Sequence, residues 1–161
     1  MGYENKILKL FRNGYLNTKD VVNNNIPRTY LTKLVKETKI ERVSRGVYTK
    51  KNVLADEFVI LQSKSKNAIY SNATALYLYG FSNRIPIKYD ITINNGYNGS
   101  LQKNSNVNLF YTKKDLLDLG VTNYKLDSGN IIKVYDLERT ICDIIKNKKK
   151  RDAEIFNKTI R

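Results

Sequence analysis

Histidine is absent from this chain of 161 residues, and cysteine occurs once, at Cys142. Without imidazole the usual zinc sites and histidine-based acid–base catalysis are excluded, and a single thiol closes no internal disulfide. Cys142 stands among Ile141, Ile144 and Ile145, which predicts a buried structural thiol rather than a nucleophile. No apolar run approaches the roughly 18 residues of a membrane span, and no signal-peptide pattern follows Met1. A cytoplasmic protein without a membrane partner is therefore expected. A glycine-rich phosphate loop and a plausible catalytic triad are missing too, so neither an enzyme nor a metal or other cofactor is expected.

Acidic residues are the other scarcity. The chain sets 15 Asp and Glu against 29 Lys and Arg, a net charge of +14. A field of that sign attracts polyanions and speeds their capture, which favours nucleic acid over acidic protein or membrane. The charge is uneven, since residues 1–54 hold 12 basic and 4 acidic residues. A third of the chain carries over half of the excess. The alternative is a Lys- and Asn-rich composition spread over a solvated surface.

The N-terminal third has helical and strand patterning in a definite order. Ile7, Leu8 and Phe11 fall at helical spacing within Glu4–Arg12, and Asn13-Gly14 supplies a stop. Thr18 is expected to cap a short second helix, with Asp20 in its first turn and Asn23-Asn24-Asn25 breaking it. Pro27 suits the first position of a third helix running to Thr38, because its ring fixes φ where an N–H is not needed. Leu31, Leu34 and Val35 form the inward stripe of that helix. At about 100° per residue from the stripe, Thr32 falls at about 100°, Lys36 at about 140°, Thr29 at about 160° and Lys33 at about 200°. These four point outward together, and Arg28 and Tyr30 flank them near the N-terminal end, the part of a recognition helix that meets base edges. Arginine can bind guanine through two hydrogen bonds, whereas Lys33 and Lys36 suit phosphate as point charges. Ile40–Val43 then alternates as a strand, Ser44-Arg45-Gly46 turns, and Val47-Tyr48-Thr49 returns. The outline is a winged helix-turn-helix, with Arg42, Arg45, Lys50 and Lys51 on or beside a wing that follows the phosphate backbone.

Gly14-Tyr15-Leu16, Arg28-Thr29-Tyr30-Leu31 with Leu34-Val35, and Glu41 to Tyr48 are joined later by the block Ser71 to Phe81 and the block Val134 to Asp143. Taken in this order, these segments resemble the AbiEi-type antitoxins of bacterial abortive-infection, type IV toxin–antitoxin systems. The resemblance spans nearly the whole chain. One departure is Pro27, where related sequences often place a Ser-like cap. The resemblance implies an antitoxin that represses its own operon at inverted repeats in the promoter, monomeric in solution with two copies on the DNA. It also implies a C-terminal domain that counters a nucleotidyltransferase-like toxin without a stable complex with it. An alternative assigns the activity chiefly to protein or RNA contacts of that C-terminal domain, with the winged helix as scaffold.

The sequence places a boundary near residue 53, giving a winged helix-turn-helix domain over 1–53 and an α+β antitoxin domain over 54–161. Ala55–Gln62 reads as a helix, Ala68–Tyr70 as a short strand, and Ser71 or Asn72 as the cap of a helix ending at Gly80. Tyr77, Tyr79 and Phe81 suit packing better than base stacking. Tyr89–Ile93, Val107–Tyr111 and Ile131–Tyr135 alternate as strands of an antiparallel or mixed sheet with packed helices. Asp136 is placed to cap a helix whose Leu137, Ile141, Ile144 and Ile145 form a stripe. Asp136, Glu138 and Asp143 admit a metal-site reading, but a cap, a first-turn acid and a partner for Arg139 account for the same residues. Lys146, Lys148, Lys149, Lys150 and Arg151 form a basic block, either solvated or an auxiliary nucleic-acid contact. Ile155, Phe156, Thr159 and Ile160 continue a helical pattern without a stop, so further residues are expected after Arg161.

Overall fold

A computed structural model of the protein describes residues 2–148. The chain divides into two compact units, one running from the N-terminus to Lys64 and including Leu126–Ile131, the other taking Ser65–Lys125 and the chain from Ile132 onward. The first unit thus extends past residue 53 to include the next helix.

That unit is built from α1 (Tyr3–Lys9), β1 (Tyr15–Asn17), α2 (Thr18–Asn23), α3 (Thr29–Lys36), β2 (Ile40–Ser44), β3 (Val47–Lys50) and α4 (Glu57–Ser63). Its antiparallel sheet has the order β1-β3-β2. Ile7, Leu16, Val21, Ile26, Leu31, Leu34 and Ile40 close the core between the helices and the sheet. Each such buried aliphatic side chain contributes about 1.5–3 kcal/mol relative to exposure. The inward stripe of α3 is therefore what fixes its outward face.

Two helix starts differ from the expectation. Asn17, not Thr18, occupies the cap position of α2, and its amide is turned away to donate to the Ser63 carbonyl at 3.0 Å. Thr18 is the first helical residue, and the Gly46 carbonyl accepts its N–H at 2.9 Å. The wing thereby satisfies one of the N-terminal donors that have no partner within the helix. Pro27 likewise lies ahead of α3, with Arg28 at the cap and Thr29 first in the helix. The Pro27 and Arg28 carbonyls already accept from Tyr30 and Leu31 at 3.1 and 3.0 Å, so the proline sets a tight turn leading into the helix. The other end comes at Lys36 rather than Thr38, because Thr38 adopts φ 54° and Lys39 N–H returns to the Leu34 carbonyl.

The second unit is a mixed sheet with helices. It contains β4 (Ile69–Tyr70), α5 (Asn72–Leu78), β5 (Tyr89–Asn94), a 3-10 turn (Ser100–Lys103), β6 (Val107–Thr112), α6 (Lys114–Leu117), β7 (Val121–Lys125), β8 (Ile131–Tyr135) and α7 (Leu137–Lys146). The strand order is β6-β5-β4-β8-β7, with β5 parallel to β6, β4 parallel to β8 and β4 antiparallel to β5. Ser71 stands at the cap of α5 without a capping bond, since its hydroxyl accepts from Thr92 at 2.8 Å. Asp90 on β5 takes over by accepting from Ala73 N–H at 3.1 Å. Asn72 is fully buried at φ 54°, its Nδ2 donating to Ser71 and its Oδ1 without a partner among the described residues.

α7 is turned relative to its expected stripe. Leu137, Thr140 and Ile144 face inward, whereas Ile141 and Ile145 are exposed. Cys142, expected to be buried, is exposed. Residues 137, 140 and 144 follow the i, i+3, i+7 rule, and Cys142 lies on the opposite side of the helix from them. Asp136 accepts from Arg139 N–H at 2.8 Å, as a cap should, and Asp143 pairs with the Arg139 side chain at 3.1 Å.

Candidate nucleic-acid interface

The third helix and the wing present the residues expected to meet DNA. Arg28, Thr29, Thr32, Lys33 and Lys36 are exposed on α3 or at its cap, and Arg42, Arg45, Lys50 and Lys51 are exposed on or beside the β2–β3 hairpin. All nine belong to the first unit. The hairpin turns through Arg45 and Gly46, and Gly46 adopts φ 77°, a conformation that favours a residue without Cβ. A register shift between Arg42 and Ser44 is the signature of a bulge, which strengthens local twist.

These side chains differ in how far the protein itself occupies them. Among the described residues, Arg28, Lys36, Arg45 and Lys51 have no side-chain hydrogen-bond or ion-pair partner, so their charges are available to a ligand. Lys33 Nζ lies 3.9 Å from Glu37 and 5.9 Å from the Tyr30 ring centroid, and its side chain stays well exposed at 62%. Lys50 lies 5.6 Å from the Phe11 ring, and Arg42 Nε donates weakly to the Ser44 carbonyl at 3.4 Å. Tyr30 is the exception. It is half-buried, packs against the core and meets Tyr3 edge-on with ring centroids 4.8 Å apart.

Other cations near the interface come from more distant parts of the sequence. Lys64 donates to Ser44 Oγ on the wing at 3.2 Å, a pairing across 20 residues that no local pattern announces. Lys39 bridges Glu4 and Glu37, and those hydrogen bonds, Glu4 first, raise its ammonium above the ordinary lysine value. Its charge is already compensated by protein carboxylates. Tyr3 and Lys6, one helical turn apart on α1, carried the signal of a shared face, since residues at i and i+3 are neighbours.

The basic block expected in the second half is only partly described. Lys146 lines a cleft of about 220 Å³ with Thr92, Phe110, Thr112, Arg139 and Asp143, and Lys148 is exposed. Lys149, Lys150 and Arg151 lie outside the described residues, as do Ile155, Phe156, Thr159 and Ile160. Tyr79 is committed to packing, its hydroxyl donating to the Tyr135 carbonyl at 3.1 Å, whereas Phe81 is exposed. Among the described residues no group of three or more Cys, Asp or Glu is placed to hold a metal ion, and no helix is long and apolar enough to cross a membrane.

An outward-facing third helix followed at once by a basic hairpin, on a β1-β3-β2 sheet, makes the first unit a winged helix-turn-helix in a protein of α+β class. Residues 5–49, which run from α1 into β3, match the model of a family described as a transcriptional regulator, the AbiEi antitoxin. The segment that carries α3 and the β2–β3 hairpin is thus similar to the AbiEi regulators. No curated protein matches the chain.

Proposed function

We propose that this protein is the antitoxin and autorepressor of a type IV toxin–antitoxin system, a cytoplasmic regulator that binds inverted repeats in its own promoter. The observation that carries the reading is the exposed set Arg28, Lys36, Arg45 and Lys51, without side-chain partners among the described residues, on a winged helix-turn-helix similar to the AbiEi regulators. Inserted into the major groove, the N-terminal end of α3 brings Arg28, Thr29 and Thr32 to base edges, with Tyr30 held beside them by Tyr3. Lys33 and Lys36 reach flanking phosphates. Arg42, Arg45, Lys50 and Lys51 follow the backbone along the wing, which positions the protein without specifying sequence. The chain is a monomer in solution, and two copies occupy the two half-sites.

The second unit counters a nucleotidyltransferase-like toxin without a stable complex, and Lys146 and Lys148 give it an auxiliary nucleic-acid contact. A second reading, in which this half acts through protein contacts, draws on the exposed Phe81, Ile85 and Ile87 within one loop. Co-expression with the neighbouring toxin separates the two readings. Loss of protection in a Phe81, Ile85 and Ile87 triple serine variant that still binds promoter DNA favours protein contact.

The direct test is a titration of the full chain against a labelled duplex from its own upstream region and against a scrambled duplex. With roughly six to eight phosphates neutralised, log K should fall with log salt at a slope of about −5 to −7. The upstream duplex should bind more tightly. A flat salt response would sink the proposal.

A further inference from the structure

The outward surface of α3 continues onto α1. Lys6 Nζ stands 5.8 Å from the centroid of the Tyr3 ring, Tyr3 meets Tyr30 edge-on at 65° with centroids 4.8 Å apart, and Lys33 Nζ stands 5.9 Å from the Tyr30 ring. The four side chains make one continuous row, Lys6–Tyr3–Tyr30–Lys33, that crosses from the first helix to the third. Each ammonium lies against an electron-rich ring face or its margin, which restrains a long exposed side chain without neutralising it. Lys6 has no carboxylate partner among the described residues. Glu4 and Glu37 are both bridged by Lys39, and Glu37 also lies 3.9 Å from Lys33.

We propose that Lys6 is a phosphate-binding residue and Tyr3 the residue that positions it, so that α1 joins α3 and the wing in the DNA contact. This inference rests on the reading of α3 as the helix that enters the groove. Tyr3 holds the first turn of α1 against Tyr30 in the first turn of α3, the end nearest the bases, where the phosphates bordering the groove pass alongside. A lysine there meets the backbone as a point charge and adds affinity without sequence preference. Tyr3 acts through its ring alone, since Tyr30 and Lys6 both meet the ring.

The test uses the full chain and a fluorescein-labelled mixed-sequence duplex of about 24 base pairs, with anisotropy titrations between 50 and 200 mM KCl. Lys6→Gln should make the salt slope less negative by about 0.9 and weaken binding at the lowest salt by about three- to tenfold. Lys103→Gln, which removes the same charge from the 3-10 turn of the second unit, should change binding less than twofold. Tyr3→Phe should bind like the parent, whereas Tyr3→Ala should weaken binding, and by a smaller factor once Lys6 is already Gln. Should Lys6→Gln match Lys103→Gln while Lys33→Gln still loses affinity, α1 is outside the contact and the inference fails alone. Should Lys33→Gln and Lys36→Gln also leave binding unchanged, the placement of α3 in the groove fails with it.

Discussion

Arg28 precedes α3 and Arg139 sits in the first turn of α7, so two helices of this chain each carry an arginine near the N-terminal end. Their surroundings are opposite. Arg28 is exposed and has no side-chain partner among the described residues. Arg139 pairs with Asp143, donates to the Leu116 and Leu119 carbonyls at 2.7 and 2.8 Å, and lies 4.3 Å from the Tyr135 ring centroid. Its side chain is only 13% exposed. A guanidinium whose donors are satisfied internally holds a fold together, and one left open is ready for a ligand. The contrast lies in the partners: Asp143 one turn along α7 announces part of it in the sequence, whereas the Leu116 and Leu119 carbonyls do not.

Removing each arginine should therefore fail in a different assay. Arg139→Ala leaves Asp143 and two carbonyls unpaired, and is expected to destabilise the second unit by about 3 kcal/mol, read as a lower urea midpoint. Lysine should rescue little, because it lacks the fork that serves three acceptors. Arg28→Ala should leave the urea midpoint within about 0.5 kcal/mol of the parent while costing about 1–3 kcal/mol in promoter binding and relaxing specificity. Equal losses on cognate and random DNA would contradict base readout by Arg28. Lys36→Ala is expected to weaken all duplexes alike and to reduce the salt slope by about one.

The smallest effect at neutral pH belongs to Tyr135. Burial, offset in part by Arg139, pushes its phenol up to about 12, and its hydroxyl donates to the Leu117 carbonyl at 2.6 Å. The folded value lies above that of the unfolded chain. The resulting stability is thus fully present below about pH 10 and is lost as the pH rises through the folded value. A Tyr135→Phe variant should show a shallower loss of stability between pH 10 and 12 than the parent, which a set of urea titrations across that range would reveal.

The first unit was largely legible because its signals are local. The stripe of Leu31 and Leu34, the break at Asn23–Asn25 and the Arg45-Gly46 turn each announce a structure within a few residues, and the structure follows them. What was not legible depends on distant partners. Thr18 is a reasonable cap until Asn17 takes that position, its amide tied to the Ser63 carbonyl 46 residues away. Ser71 is another until Thr92 occupies its hydroxyl and Asp90 caps the helix instead. Cys142 is exposed where its isoleucine neighbours suggest burial, because those neighbours do not all share the buried face of α7. Short elements such as β1, α6 and β7 also escaped, since three to five residues give too little periodicity to separate strand from loop. For the interface, exposure could be inferred from helical phase, whereas the occupation of Lys39 and the packing of Tyr30 required tertiary contacts.

The β1-β3-β2 order leaves β1 and β2 as the two borders of the first sheet. Such borders are where strands of other chains add and where aggregates begin. Here β1 has only three residues, and the Asn17 amide ties it to the end of α4. β2 is interrupted by its register shift and displays Glu41 and Arg42 to solvent. Both borders are thus poor templates for strand addition, and a high local concentration of this protein should not seed growth through this sheet.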